Sequence, residues 1–281
     1  VTTIFGNWYK NSNPLYVLNM PFERINGTNN SNAWDYSGNN NNGSDGGDAV
    51  WNNTNGVLNS GGYYFDGSAD FIDLGNNSAL DVGGDTFSIA LWAKWTDASK
   101  DAVAMVHIGG FSNNYALTTG DNAGGQDKVG FVDGTGSWRF NAGSGFNDGN
   151  WHHIVGIKND TGSFIYVDGV SRSYSSGGIV FNNNNRIADG FHGDFEGYVD
   201  NLMIFNYSLT QAQVIAFYEN KTNTIVSGET SIGDNWSFSA TPNDGIDNGV
   251  TSFSSNISIQ NSTDTTAPTI SSINEPAANQ N

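Results

Sequence analysis

His152-His153-Ile154-Val155-Gly156-Ile157 is followed, a few residues on, by Phe164-Ile165-Tyr166-Val167 and then Asp168-Gly169. Two short runs of strand-forming residues end on an Asp-Gly pair, the signal of a two-residue hairpin turn. Working outward, the same texture recurs in Lys128-Val129-Gly130-Phe131-Val132, Phe87-Ser88-Ile89-Ala90-Leu91-Trp92-Ala93 and Tyr63-Tyr64-Phe65. Gly and Asn clusters separate these runs at roughly ten to fifteen residues, which predicts an antiparallel sandwich or jelly roll rather than βα units. One short helix is predicted late in the chain. Thr210-Gln211-Ala212-Gln213 reads as a capping box, Leu209 and Val214 as its hydrophobic staple, and Val214, Phe217 and Tyr218 as one apolar face. Such a helix is expected to act as a lid on the sandwich edge.

Composition narrows the function. Ten basic residues stand against 28 acidic ones, giving a net charge of −18. Nucleic acid and anionic membrane surfaces both need a cationic footprint and are excluded as partners. The acids are 23 Asp and five Glu, the composition of turns rather than helices. With 37% hydrophobic and 13% aromatic residues, the chain can bury a large core. The absence of cysteine removes disulfides, zinc-thiolate sites and thiol nucleophiles. No apolar run approaches the roughly 18 residues that would span a bilayer as a helix. Val1-Thr2-Thr3-Ile4 lacks the features of a leader, so a mature chain or an excised piece is expected.

Seven elements in order resemble the laminin-G-like (concanavalin A-like, pentraxin-related) jelly roll of surface proteins, over roughly residues 15–219. They are Leu18–Glu23, Asp35–Gly43, Tyr64–Ile72, Phe87–Trp92, Gly149–Ile154, Ile165–Gly169 and Tyr198–Phe205. The flanks, Asn7-Trp8-Tyr9-Lys10-Asn11 and Gly233-Asp234-Asn235-Trp236 through Gly245, are similar to immunoglobulin-like repeats in large archaeal surface proteins. The resemblance implies an all-β chain: a concanavalin A-like jelly-roll sandwich with one short helix, inserted in a split immunoglobulin-like β domain. Residues 1–14 and 220–263 are expected to form that split domain, residues 15–219 the jelly roll, and residues 264–281 a linker or the start of a next module.

Candidate chemistry follows the loops and rings. No Gly-x-Ser-x-Gly elbow, His-Glu-x-x-His pair or phosphate loop occurs. The nearest approach to a glycanase carboxylate strand is Asp194-Phe195-Glu196, which lacks a third acid at the spacing, so no enzyme activity is expected. Adjacent His152 and His153 point to opposite faces of a strand and do not form a metal pair. The resemblance implies structural calcium, with Asp35, Asn41, Asp66 and Asp200 as its ligands; the alternative is that Asp35 and Asp66 cap turns. Trp92 and Trp151 are expected in the core, leaving Trp138 and Tyr115 as platforms for ligand contact. Sequons occur at Asn26, Asn29, Asn42, Asn52, Asn76, Asn159, Asn206, Asn220, Asn235, Asn256 and Asn261.

The expected role is a non-enzymatic extracellular module for adhesion or assembly at the cell surface, with carbohydrate as the ligand to test. Its partners would be glycans, neighbouring surface-protein modules, or other copies meeting an exposed sheet edge. The alternative is an accessory carbohydrate-binding domain of a secreted polysaccharide-degrading enzyme.

Overall fold

The computed structural model describes residues 3–23, 32–54, 56–57, 60–80, 82, 86–97, 99, 103–109, 114–120, 127–133, 137–172, 174–178, 185–190, 193–221, 225–226, 229–244 and 248–260. Two antiparallel sheets face each other. One has eight strands and runs Val170–Arg172, Gly162–Val167, His152–Asn159, Phe87–Lys94, Glu196–Phe205, Gly62–Asp66, Val50–Asn52, with Leu18–Met20 beside the far half of Glu196–Phe205. The other has nine strands and centres on Val103–Gly109, Asn114–Thr119 and Val129–Asp133. Alternation along each strand sends one set of side chains inward. Leu91, Ile154, Ile165 and Val199 meet Met105, Tyr115, Leu117 and Phe131 in a single core. At Gly156 the sheets come so close that an added Cβ would lie 2.3 Å from the Phe131 ring.

The Asp168-Gly169 turn closes the hairpin as its residues require. Both take positive φ, 54° and 74°, and Val167 pairs with Val170 across the two-residue loop.

The helix Gln211–Tyr218 carries the predicted capping box: Thr210 N–H donates to Gln213 Oε1 at 2.7 Å, and Gln213 N–H donates to the Thr210 hydroxyl. Its position differs from the expected edge lid. Leu209 and Val214 pack on Ala90, Val155, Ile157, Met203 and Phe205, the outward side chains of the eight-stranded sheet. These five are apolar where a solvated face would be polar, so the helix must cover a face.

A third sheet joins the chain ends. Thr3–Lys10 pairs antiparallel with Asn235–Asn243 along its whole length, from Thr3↔Asn243 to Lys10↔Trp236. Asn13–Pro14, Ser252–Phe253 and Ile257–Ser258 complete it. It rests on the jelly roll through the Phe5 and Tyr36 rings, 3.9 Å apart, and the Asn7 amide, which donates to the Ser37 carbonyl at 2.7 Å.

Candidate functional site: an open aromatic row

The outer face of the eight-stranded sheet is divided among its covers. The helix takes Ala90, Val155 and Phe205. Val57 and Ser60 lie over Asp200, which accepts hydrogen bonds from Val57 N–H (2.9 Å) and Asn201 N–H (2.7 Å). One transverse row lies outside these covers. Val50 pairs with Tyr64, Tyr64 with Tyr198, and Tyr198 with Lys94. Trp151, one residue before the His152↔Ala93 pair, continues the row onto a fifth strand.

Register alone makes this row, since strands about 4.8 Å apart set their paired side chains side by side. Tyr64 and Tyr198 lie 4.9 Å apart, and Trp151 and Tyr198 6.3 Å. The Lys94 ammonium sits between the Tyr198 and Trp151 rings, 4.3 Å from Tyr198 and 5.2 Å from Trp151. Partial burial lowers the Lys94 pKa. Burial, reinforced by the charge of Glu196, raises that of Tyr64. All four side chains are half-buried, and Val50 at the end is exposed. Two residues along the same strands, exposed Asp66 and Glu196 face each other as acceptors beside the rings. Trp92 continues the aromatic surface toward the helix, stacked on Tyr218 with centroids 5.8 Å apart. Flat apolar faces beside carboxylates and one ammonium suit a hydroxyl-rich, ring-shaped ligand.

Trp92 and Trp151 therefore depart from the expectation of core positions; they lie half-buried on the outer face. Tyr115 is the opposite correction. It is fully buried, packed 4.6 Å from Phe87, and its hydroxyl donates to the Leu80 carbonyl at 2.8 Å, because its strand is central in the nine-stranded sheet and the ring faces inward. Trp138 lies in the strand Ser137–Asn141, and its side chain is outside the described residues.

The four residues expected around calcium fall into three places. The Asp35 carboxylate accepts from Asn19 N–H, Ser37 N–H, Ser37 O–H and Asn41 N–H, which fills the lone pairs a cation would need. Asn41 spends its amide on Val17 O and on Asn77. Asp66 caps its own turn through Ser68 N–H. Asp200 is buried, and desolvation, with the Glu23 charge nearby, raises its pKa. Among the described residues no group of three or more His, Asp or Glu side chains is arranged to hold a metal. Asp194 accepts from Ala69 N–H, while Glu196 is exposed.

Six sequon asparagines, Asn42, Asn76, Asn206, Asn220, Asn235 and Asn256, are exposed; Asn52 and Asn159 are half-buried. Asn26, Asn29 and Asn261 lie outside the described residues.

Fold and open face together define a jelly roll of the lectin and glucanase type. Residues 66–215 match the model of the concanavalin A-like lectin/glucanases superfamily, laminin G type, and the chain belongs to that family. No curated protein sequence matches it. Among solved structures it is similar to domain 4 of AbnA, a GH43 extracellular arabinanase from Geobacillus stearothermophilus in complex with arabinotriose. There the TM-score is 0.53 at 19% identity, over 72% of this chain and 98% of that one. It is similar too to the binding domain of Paraclostridial Mosquitocidal Protein 1, with TM-score 0.53 and 14% identity, over 74% of this chain and 53% of that one. The botulinum neurotoxin serotype D binding domain gives TM-score 0.52 at 13% identity, over 74% and 51%. The chain thus spans about half the length of the toxin domains it matches.

Proposed function

We propose that the chain is a non-enzymatic glycan-binding module whose contact surface is the row Tyr64–Tyr198–Lys94–Trp151. The observation that carries this reading is the register: strands distant in sequence set three aromatic side chains and one lysine abreast on the outer face. A sugar ring stacks its C–H face on such rings while Asp66 and Glu196 accept from its hydroxyls. With Val50 at its end the row crosses five strands, so it suits several units of an extended, neutral chain. A net charge of −18 disfavours polyanionic glycans.

In this reading the module works outside the cell, in adhesion or surface assembly, and the exposed sequons Asn42, Asn76, Asn206 and Asn256 carry glycans. Among the described residues no helix is long and apolar enough to cross a membrane. A second reading, an accessory domain of a polysaccharide-degrading enzyme, is favoured by the likeness to the arabinanase domain over 98% of that domain.

A glycan array that includes arabinotriose tests the binding itself. Trp151→Ala and Tyr198→Ala are each expected to weaken any bound sugar by about five- to tenfold, the scale of one lost aromatic contact of about 1–1.5 kcal/mol. An array without a hit, or affinity unchanged in both variants, overturns the proposal.

A further inference from the structure

A cleft of about 370 Å³ separates the third sheet from the outer face of the jelly roll, away from the open row. Its apolar wall is Phe5 and Phe238 from the third sheet with Tyr16 and Met203 from the jelly roll. Phe238 lies against the backbone of Gly6, where an added Cβ would fall 2.0 Å from the ring, so glycine is what lets the wall form.

Three side-chain amides converge on this wall from separate segments. Asn19 lies beside Met203 in the register, on the outward face of its strand. Asn201 sits where the register of Glu196–Phe205 shifts, and Asn220 follows the helix. Both hold left-handed backbone, φ 50° and 56°, a conformation asparagine tolerates. Phe22, at φ 54°, turns the chain between the lining residues Pro21 and Glu23, and a bulky residue there is strained. The backbone N–H groups of Asn19 and Asn201 are bound to Asp35 and Asp200, while none of the three side-chain amides is hydrogen-bonded to another described residue.

The donor set selects the ligand. Among the described residues no lysine or arginine lines the cleft, so none of them offers an anion a partner. Burial pushes the Glu23 carboxyl up, and one of its oxygens already accepts from Gly61 N–H, which weakens it as a seat for a cation. An amide presents two donors and one acceptor, complementary to another amide and to hydroxyls. We propose that the cleft is a second sugar site, which takes a single neutral residue bearing an acetamido group. The acetamido methyl packs on Phe5, Phe238 and Met203, and its amide exchanges hydrogen bonds with the asparagines. The inference shares the glycan reading of the open row but none of its residues.

The test titrates the ¹⁵N-labelled full chain with free N-acetylglucosamine and, separately, with glucose, following the side-chain amide signals. Saturable shifts of the Asn19, Asn201 and Asn220 amides with N-acetylglucosamine are expected, with glucose about tenfold weaker, the scale of one lost hydrogen bond in a desolvated site. Asn19→Ala, and Asn201→Gly, which keeps the left-handed backbone, are each expected to abolish saturation at unchanged melting temperature. Trp151→Ala should leave the cleft untouched even where it removes binding at the row. The proposal is overturned if neither sugar moves these amides, if glucose binds equally well, or if Trp151→Ala abolishes the shifts.

Discussion

At the residue scale, adjacent histidines show what alternation decides. His152 turns inward, where its Nδ1 lies 2.9 Å from Asp168. Burial alone would lower its pKa, but the hydrogen bond and charge of Asp168, with Asp148 behind them, outweigh burial and raise it. His153 turns outward under the helix, its ring 5.1 Å from Trp92 and 6.3 Å from Tyr218, with neither nitrogen bonded to another described residue. Desolvation lowers its pKa from 6.5 to about 4. Between those values the unfolded chain takes up a proton that the folded chain refuses, so stability present above pH 6.5 is lost as pH falls through the window. His107 acts in the same direction, and His152 in the opposite one. His153→Phe keeps the ring stack and removes the unpaired nitrogens, for a gain of about 1 kcal/mol at neutral pH. Its advantage in melting temperature should widen from about pH 7 to about pH 5. A gap that stays constant across that range would show that His153 is not a buried neutral base. The same alternation turns Trp151 outward once His152 faces inward, against the expectation that placed Trp151 in the core. Tyr115 goes the opposite way, because the residues beside it say nothing of whether their strand is central in its sheet.

At the element scale, what is local was readable. The capping box needs only Thr210 and Gln213 three residues apart, and it forms as their chemistry requires. The same holds for the Asp168-Gly169 turn. Where the helix lands was not readable, because the outward apolar residues Ala90, Val155 and Met203 meet only through strand order. Gln213 also reaches beyond the helix, donating to Glu229 Oε1 at 2.6 Å. Thr210→Ala removes the cap and is expected to cost about 1 kcal/mol, or roughly 2–4 °C in a chain of this size. Thr210→Ser should restore most of the loss in the same thermal melt. If alanine and serine behave alike, the cap contributes nothing measurable and the helix is held by its apolar face alone.

At the scale of the whole molecule, sequence separation limits what can be foreseen. Each aromatic residue of the open row belongs to a recognisable strand, yet Tyr64, Lys94, Trp151 and Tyr198 become neighbours only through pairings that span the jelly roll. The residues of the calcium expectation are scattered for a related reason: Asp35, Asp66 and Asp200 each accept hydrogen bonds from nearby donors. The third sheet is the longest-range pairing of all. Lys10 binds Asp234 at 2.9 Å and donates to the Glu229 carbonyl at 2.8 Å, while Trp8 meets Phe238 at 4.8 Å, so the two ends of the chain hold each other. Neither strand has enough apolar contact to persist without the other. They should therefore open as one cooperative unit, distinct from the jelly-roll core. Gly6→Val places a Cβ 2.0 Å from the Phe238 ring, so the ring that meets Trp8 has to move. Hydrogen exchange by mass spectrometry on that variant should show Thr3–Lys10 and Asn235–Asn243 losing protection together, while His152–Asn159 keeps its own. Protection retained in Asn235–Asn243 after Thr3–Lys10 has lost it would mean that the later strand is held by the jelly roll, and that the chain ends do not fold as a unit.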